Sequence, residues 1–185
     1  MALARVYGRA LRGMEAPVVE VEVHMANGLP QFTLVGLADT EVREARERVR
    51  SALLNSGFEF PHNQRITCSL APADLPKDSG RFDLPMALGI LAASGQLDAT
   101  ALANHEFAGE LSLSGELRPI RGALAMHLAG LDDASRSLVL PLASAQEAAL
   151  VRGKTVYGAH HLLEVVQSLR AVSYTHLTLP TKRIV

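Results

Sequence analysis

Tryptophan is absent from this sequence and aromatic residues make up only 4% of it, so Ala, Val and Leu must fill any core. Cysteine occurs once, as Cys68, which excludes an internal disulfide and fits a reducing cytoplasm. Its place inside Ile66-Thr67-Cys68-Ser69-Leu70 reads as a buried structural thiol. Long hydrophobic runs are missing too. The longest, Leu84 to Ala93, falls well short of the ~18 apolar residues that a membrane span needs. A charge at Arg5 excludes a signal peptide at the start, so the expectation is a cytoplasmic chain without membrane contact. There is also no excess of either charge sign. The formal net charge is −1; Lys182 and Arg183 are the only charges in the last fourteen residues, so the first 171 carry −3. Such a body cannot hold nucleic acid by bulk electrostatics, and any contact of that kind needs a local patch.

What is present is 48% hydrophobic residues in 185, enough for one domain with a sizeable core. Residues 3–12 and 17–25 read as strands; in the second, Val19, Val21 and Val23 alternate with Glu20, Glu22 and His24. Asn27-Gly28-Leu29-Pro30 is a turn leading to a third strand, Gln31 to Gly36. Asp39 can cap a helix from Thr40 to Ser56, stopped by Gly57. On that helix Val42, Ala45, Val49, Ala52, Leu53 and Ser56 share one face, with Arg43, Arg46, Glu47 and Arg50 opposite. Leu54 falls among the charges. A strand at 65–71 precedes the loop Pro72 to Gly80, and Asp83 opens a helix, with Pro85 in its first turn, that is apolar all round until Gly95. Strands near 105–113 and 116–120 are joined by the Ser114-Gly115 turn. A helix at 122–131, a strand at 137–140, a helix at 143–150, a strand at 154–157 and a helix at 160–169 complete the body. Strands first, then βα alternation, predict an α/β (α+β) class with a mixed sheet.

Four motifs carry possible chemistry. Gly153-Lys154-Thr155 is the tail of a phosphate-binding loop, but the Gly required five residues before Gly153 is Ala148, in helical text, so no P-loop is present. Seven His residues occur without Cys or carboxylate at ligand spacing, and solvated or capping roles are expected for them. Arg43, Arg46, Arg48 and Arg50 interleave with Glu41, Glu44 and Glu47, the pattern of a self-paired solvated helix face. Asp78 and Asp83 beside Lys77 and Ser79 match a hydrolytic set in composition, while turn chemistry and helix capping account for all four.

Residues 172–185 depart from this pattern. A Thr-rich string follows the Ala- and Leu-rich text, and it resembles translated sequencing-adapter read-through. It is expected to be an artefactual or disordered tail on a fragment whose domain is 1–171.

Several blocks, in order, resemble the ComM/YifB family of magnesium-chelatase-related AAA+ ATPases. They are Phe32-Thr33-Leu34-Val35-Gly36-Leu37, Arg48 through Phe58, Leu70-Ala71-Pro72-Ala73-Asp74-Leu75-Pro76-Lys77, Gly80-Arg81-Phe82-Asp83-Leu84-Pro85, Gly109 through Gly115, and Leu138-Val139-Leu140-Pro141. The resemblance implies a Lon-protease-like amino-terminal domain over 1–171, preceding an AAA+ module that is absent here. It also implies a homo-hexameric ATP-driven DNA helicase that promotes branch migration in natural transformation. ATP and Mg2+ then belong to the missing module, DNA and sister subunits are the parent's partners, and this chain needs no cofactor or metal. Lon-type peptidases use a Ser–Lys dyad; the nucleophile slot aligns near Arg81 and the Lys slot near Leu124, and no Lys lies between Lys77 and Lys154. The expectation is therefore a non-catalytic domain, with Arg5, Arg9, Arg43, Arg46 and Arg50 as candidate DNA contacts. A protein-interaction module of a chelatase-like complex and a diverged Ser–Lys peptidase are the competing readings.

Overall fold

Alternation sets the first half of the sheet. The computed structural model describes residues 2–37, 39–77, 80–132, 135–175 and 182–184. Strand β1 (Ala2–Arg9) runs antiparallel to β2 (Val18–Asn27), whose Val19, Val21 and Val23 are all fully buried. On its other side β2 pairs antiparallel with β4 (Gln64–Ala71), and β3 (Gln31–Val35) lies parallel to β4 at the edge. Helix α1 (Asp39–Asn55) makes the crossover that a parallel pair requires. Beyond β1 the strands β5 (His105–Phe107), β8 (Ser137–Pro141) and β9 (Val156–Ala159) add in parallel, each to the one before. The sheet is mixed, as the element order predicts.

Two cores lie on opposite faces of this sheet. The larger is built on α2 (Asp83–Ala93), every residue of which is buried except the partly exposed Ala92. It lies against β1 and β2 so closely that a Cβ on Gly89 would stand 2.5 Å from a Val23 methyl carbon. Helix α5 (Leu162–Thr175) and the apolar face of α1, with Val49, Ala52 and Leu53 buried, join the same core. The smaller core, under α3 (Ala123–Ala129) and α4 (Leu142–Ala148), takes Leu138 and Leu140 while Val139 points to the larger one. That is why β8 reads as an uninterrupted apolar run and β2 does not: β8 is covered on both faces.

Three expectations change. The hairpin predicted at 105–113 and 116–120 is split, with only β5 in the main sheet and β6 (Glu110–Leu111) with β7 (Leu117–Arg118) forming a separate ribbon. The chain leaves the sheet because Gly109 N–H donates to Arg81 O and Gly109 O accepts from Leu84 N–H, tying it to the start of α2. The last helix, expected at 160–169, spans Leu162–Thr175, and β10 (Lys182–Ile184) pairs antiparallel with β9.

Asp83 does not cap α2 with its side chain. Its carboxylate accepts from Arg48 Nε at 2.6 Å, from Arg48 Nη2 at 3.2 Å and from Leu111 N–H at 3.1 Å, joining α1, α2 and β6. Arg48, expected on a solvated face with Glu44, keeps that partner only at 3.7 Å. Burial pushes the Asp83 carboxyl up to about 6, against the downward pull of Arg48 and the Leu111 N–H. The folded chain then binds this proton more tightly than the unfolded chain, so the contribution of the group is full below about pH 4 and is lost as pH rises through about 6. In urea titrations the stability of the natural chain minus that of Asp83→Asn should fall by up to about 2–3 kcal/mol between about pH 4 and 6.5. A rise over that interval would show that the attraction of Arg48 outweighs burial.

Candidate functional site

The positions aligned with a Ser–Lys dyad hold other groups. Arg81 is 1% exposed and runs between β1 and the segment before α3, its guanidinium donating to Arg9 O and Arg121 O and lying 3.8 Å from Met126 Sδ. Leu124 is half-buried at the second slot. Lys77 is buried, and its ammonium donates to Gly36 O at 3.1 Å, Leu75 O at 3.0 Å and Pro72 O. Burial lowers its pKa, with Asp74 acting in the opposite sense. Three N–H donors to three carbonyls make this lysine a clamp on the loop, with no lone pair for proton abstraction in that geometry. Asp78 and Ser79 lie outside the described residues.

Next to Arg81 is a buried charge cluster that the sequence reading missed. Glu106 on β5, fully buried, accepts from Arg9 Nε at 2.7 Å and Nη2 at 3.1 Å, and from Lys154 Nζ at 3.2 Å. Arg9 Nη1 also donates to Ala16 O at 2.8 Å. Arg9 is therefore removed from the candidate DNA contacts: it is 5% exposed and its guanidinium is committed to Glu106. The arrangement also explains Gly153-Lys154-Thr155. Lys154 packs against Gly130 and ends on a carboxylate, so these residues do not fit a phosphate cradle. The signal that could have found the cluster is Glu106 itself, an acid between His105 and Phe107 in core-strand text.

The histidines divide. His161 caps the start of α5, accepting from Leu163 N–H through Nδ1 at 3.0 Å, with Nε2 2.9 Å from Ser114 O. His105 and His127 are buried instead of solvated, and burial lowers the pKa of each. Among the described residues no cluster of His, Cys, Asp or Glu is arranged to hold a metal, and no helix is long and apolar enough to cross a membrane. Cys68 is buried as expected, its thiol pushed up to about 12 by burial.

The other candidate arginines fall in two places. Arg5 is exposed on β1 between Glu20 and Glu22, 3.5 Å from each. Arg43, Arg46 and Arg50 share one stripe of α1 with Glu47 and Leu54. Arg46, Glu47, Arg50 and Leu54 of that stripe form one wall of a groove of about 560 Å³, closed by Phe32 of β3 and by Phe60 and His62 of the segment before β4. Arg46 Nη1 donates to Phe32 O at 3.0 Å, and the Arg50 guanidinium lies 5.8 Å from the Phe60 ring centre.

Removing the acid at the centre of the Arg9–Glu106–Lys154 cluster strands two buried cations. Glu106→Ala should lose about 3–5 kcal/mol in urea unfolding, and added salt should not restore it, since buried pairs are poorly screened. A loss under 1 kcal/mol would mean that water already reaches these charges.

A model of subunit ChlI of Mg-chelatase matches residues 21–144. The competence protein ComM of Haemophilus influenzae is 53% identical over 169 residues, 91% of this chain and 33% of that protein. YifB of Salmonella typhimurium is 48% identical over 165 residues, covering 89% and 32%. YifB of Escherichia coli is 43% identical over 184 residues, covering 100% and 36%. The chain thus spans about a third of the length of the curated relatives it matches. With two thirds of its residues inside the ChlI match, the chain belongs to the family of subunit ChlI of Mg-chelatase and is similar along most of its length to ComM and YifB.

Proposed function

We propose that this chain is the amino-terminal, non-catalytic domain of a magnesium-chelatase-like AAA+ ATPase that works on DNA as a homo-hexamer, moving branched DNA with ATP and Mg2+ held by a module outside the chain. The observation that carries the reading is the 53% identity to a protein named for competence. The placement of the charges supports it. Arg43, Arg46 and Arg50 stand together on one helix stripe, the local patch that a chain of net charge −1 needs in order to meet a phosphate backbone. The non-catalytic part is supported by Arg81 and Leu124 at the dyad slots and by Lys77 clamped on three carbonyls.

Two measurements test this proposal. The native gene downstream of codon 171 should encode a strand followed by GxxxxGK[ST]; a stop codon close to that point would end the motor reading. For DNA, anisotropy of a labelled oligonucleotide should show affinity falling with salt at a log–log slope of about −2.7 for three phosphate contacts. Arg43→Ala with Arg50→Ala should reduce that slope to about −1. No binding even at about 20 mM salt, where phosphate contacts are strongest, would overturn the DNA reading.

A further inference from the structure

The α1 groove contains more than cations. Leu54, 49% exposed, sits at its centre on the same stripe as the arginines. Phe32 and Phe60 form a tilted aromatic pair in its wall, with ring centres 5.8 Å apart and planes at 55°, and the Arg50 guanidinium lies 5.8 Å from the Phe60 centre. Both rings are only half-buried. A second hollow of about 610 Å³, lined also by Glu59, shares Leu54, Phe60 and His62 with the first. Glu47 is the acid on the lining of the first hollow. Among the described residues neither Arg43 nor Arg50 lies in an ion pair.

The geometry points to this groove as a binding site for single-stranded nucleic acid, in which an unstacked base packs on Phe60 and Leu54 while Arg46 and Arg50 meet the flanking phosphates. The inference rests on the DNA reading above and adds the strand form and the residues. Phosphate contact alone would require only the cations. An apolar floor with a half-exposed aromatic pair beside two guanidinium groups matches what single-strand binders use, because every base has a face that an aromatic or a guanidinium plane can cover. A duplex keeps those faces inside its own stack and has nothing to place on Phe60. An acidic peptide would satisfy the cations but would leave the half-exposed rings without a planar partner.

The test is fluorescence anisotropy of the 185-residue chain with a labelled oligothymidylate. An abasic strand of the same length, a duplex and a polyglutamate serve as competitors. The oligothymidylate should bind about tenfold tighter than the abasic strand. Phe60→Ala should abolish that difference and Phe60→Tyr should retain it, the second variant showing that the ring and not the fold is at issue. Leu54→Ser should reduce the preference in a chain of unchanged melting temperature. Equal affinity for thymidylate, abasic strand and duplex, insensitive to Phe60→Ala, would overturn base packing and leave the phosphate contacts standing. Absence of binding to any nucleic acid would overturn both readings. Displacement of the oligothymidylate by polyglutamate at equal charge concentration would overturn the base-binding inference in favour of an acidic protein partner.

Discussion

Helix α2 has no polar side to turn to water, and the rest of the fold is arranged around it. Ten of its eleven residues are buried. Burying a helix from all sides requires a sheet beneath, a helix along its flank and something closing each end. β1 and β2 supply the floor, at a distance that only Gly89 permits. The apolar face of α1 supplies the flank. The amino-terminal end is closed by the Gly80–Phe82 turn and by the chain at Gly109, which leaves the main sheet to bond there. The split hairpin of β5 and β6 is thus a consequence of covering α2, not a separate irregularity.

With few aromatics available, the interior also holds long cationic side chains. Lys77, Arg81, Arg9 and Lys154 are each at most 6% exposed. Their stems occupy volume that a Phe or Trp would fill elsewhere, and their heads answer loop carbonyls or Glu106. This bears on chemistry. A catalytic lysine must lose a proton, and a nucleophile needs space beside it for a substrate. At Lys77 all three protons are donated to carbonyls, and around Arg81 the space is occupied by Met126 and the backbones of residues 9 and 121. Lys77 and Asp83, which would be suspected of catalysis from their type alone, are fasteners of the core.

Where periodicity is unambiguous, sequence and structure agree. The Val–Glu alternation of β2, the two faces of α1 and the all-apolar α2 could each be read directly, because burial on one side or on all sides leaves its mark on neighbouring residues. What was not legible depends on pairs distant along the chain. Arg9 and Glu106 are 97 residues apart, and Arg48 and Asp83 are 35 apart. Nothing local distinguishes Arg9, buried, from Arg5, exposed four residues earlier on the same side of β1. The difference is that Arg9, at the end of β1, meets the buried Glu106 of β5, whereas Arg5 stands by Glu20 and Glu22 of β2. For the groove, the exposed Leu54 among charges was visible in the sequence, but its aromatic partners, Phe32 and Phe60, come together only when β3 and β4 pair.

The distribution of acids explains how a chain of net charge −1 acquires a basic stripe. Arg5 is matched by Glu20 and Glu22, Arg9 and Lys154 by Glu106, Arg12 by Glu15, Arg48 by Asp83, and Arg118 by Glu110. Apart from the exposed Arg12–Glu15 pair, each pairing takes an acid to a place fixed by strand register or core packing. α1 shows the effect most clearly. Its Glu and Arg residues interleave, which on an isolated helix would give mutual neutralisation. In the folded chain Arg48 turns inward to Asp83, while Arg43, Arg46 and Arg50 remain on the outer stripe with Glu47. Rotating one arginine out of the pattern does not create the positive face; the register of α1 on α2 does, by deciding which charges see the core and which see solvent. Screening leaves distant charges of opposite sign with little influence beyond about 10 Å. A ligand approaching α1 therefore responds to that stripe and not to the net charge of the chain.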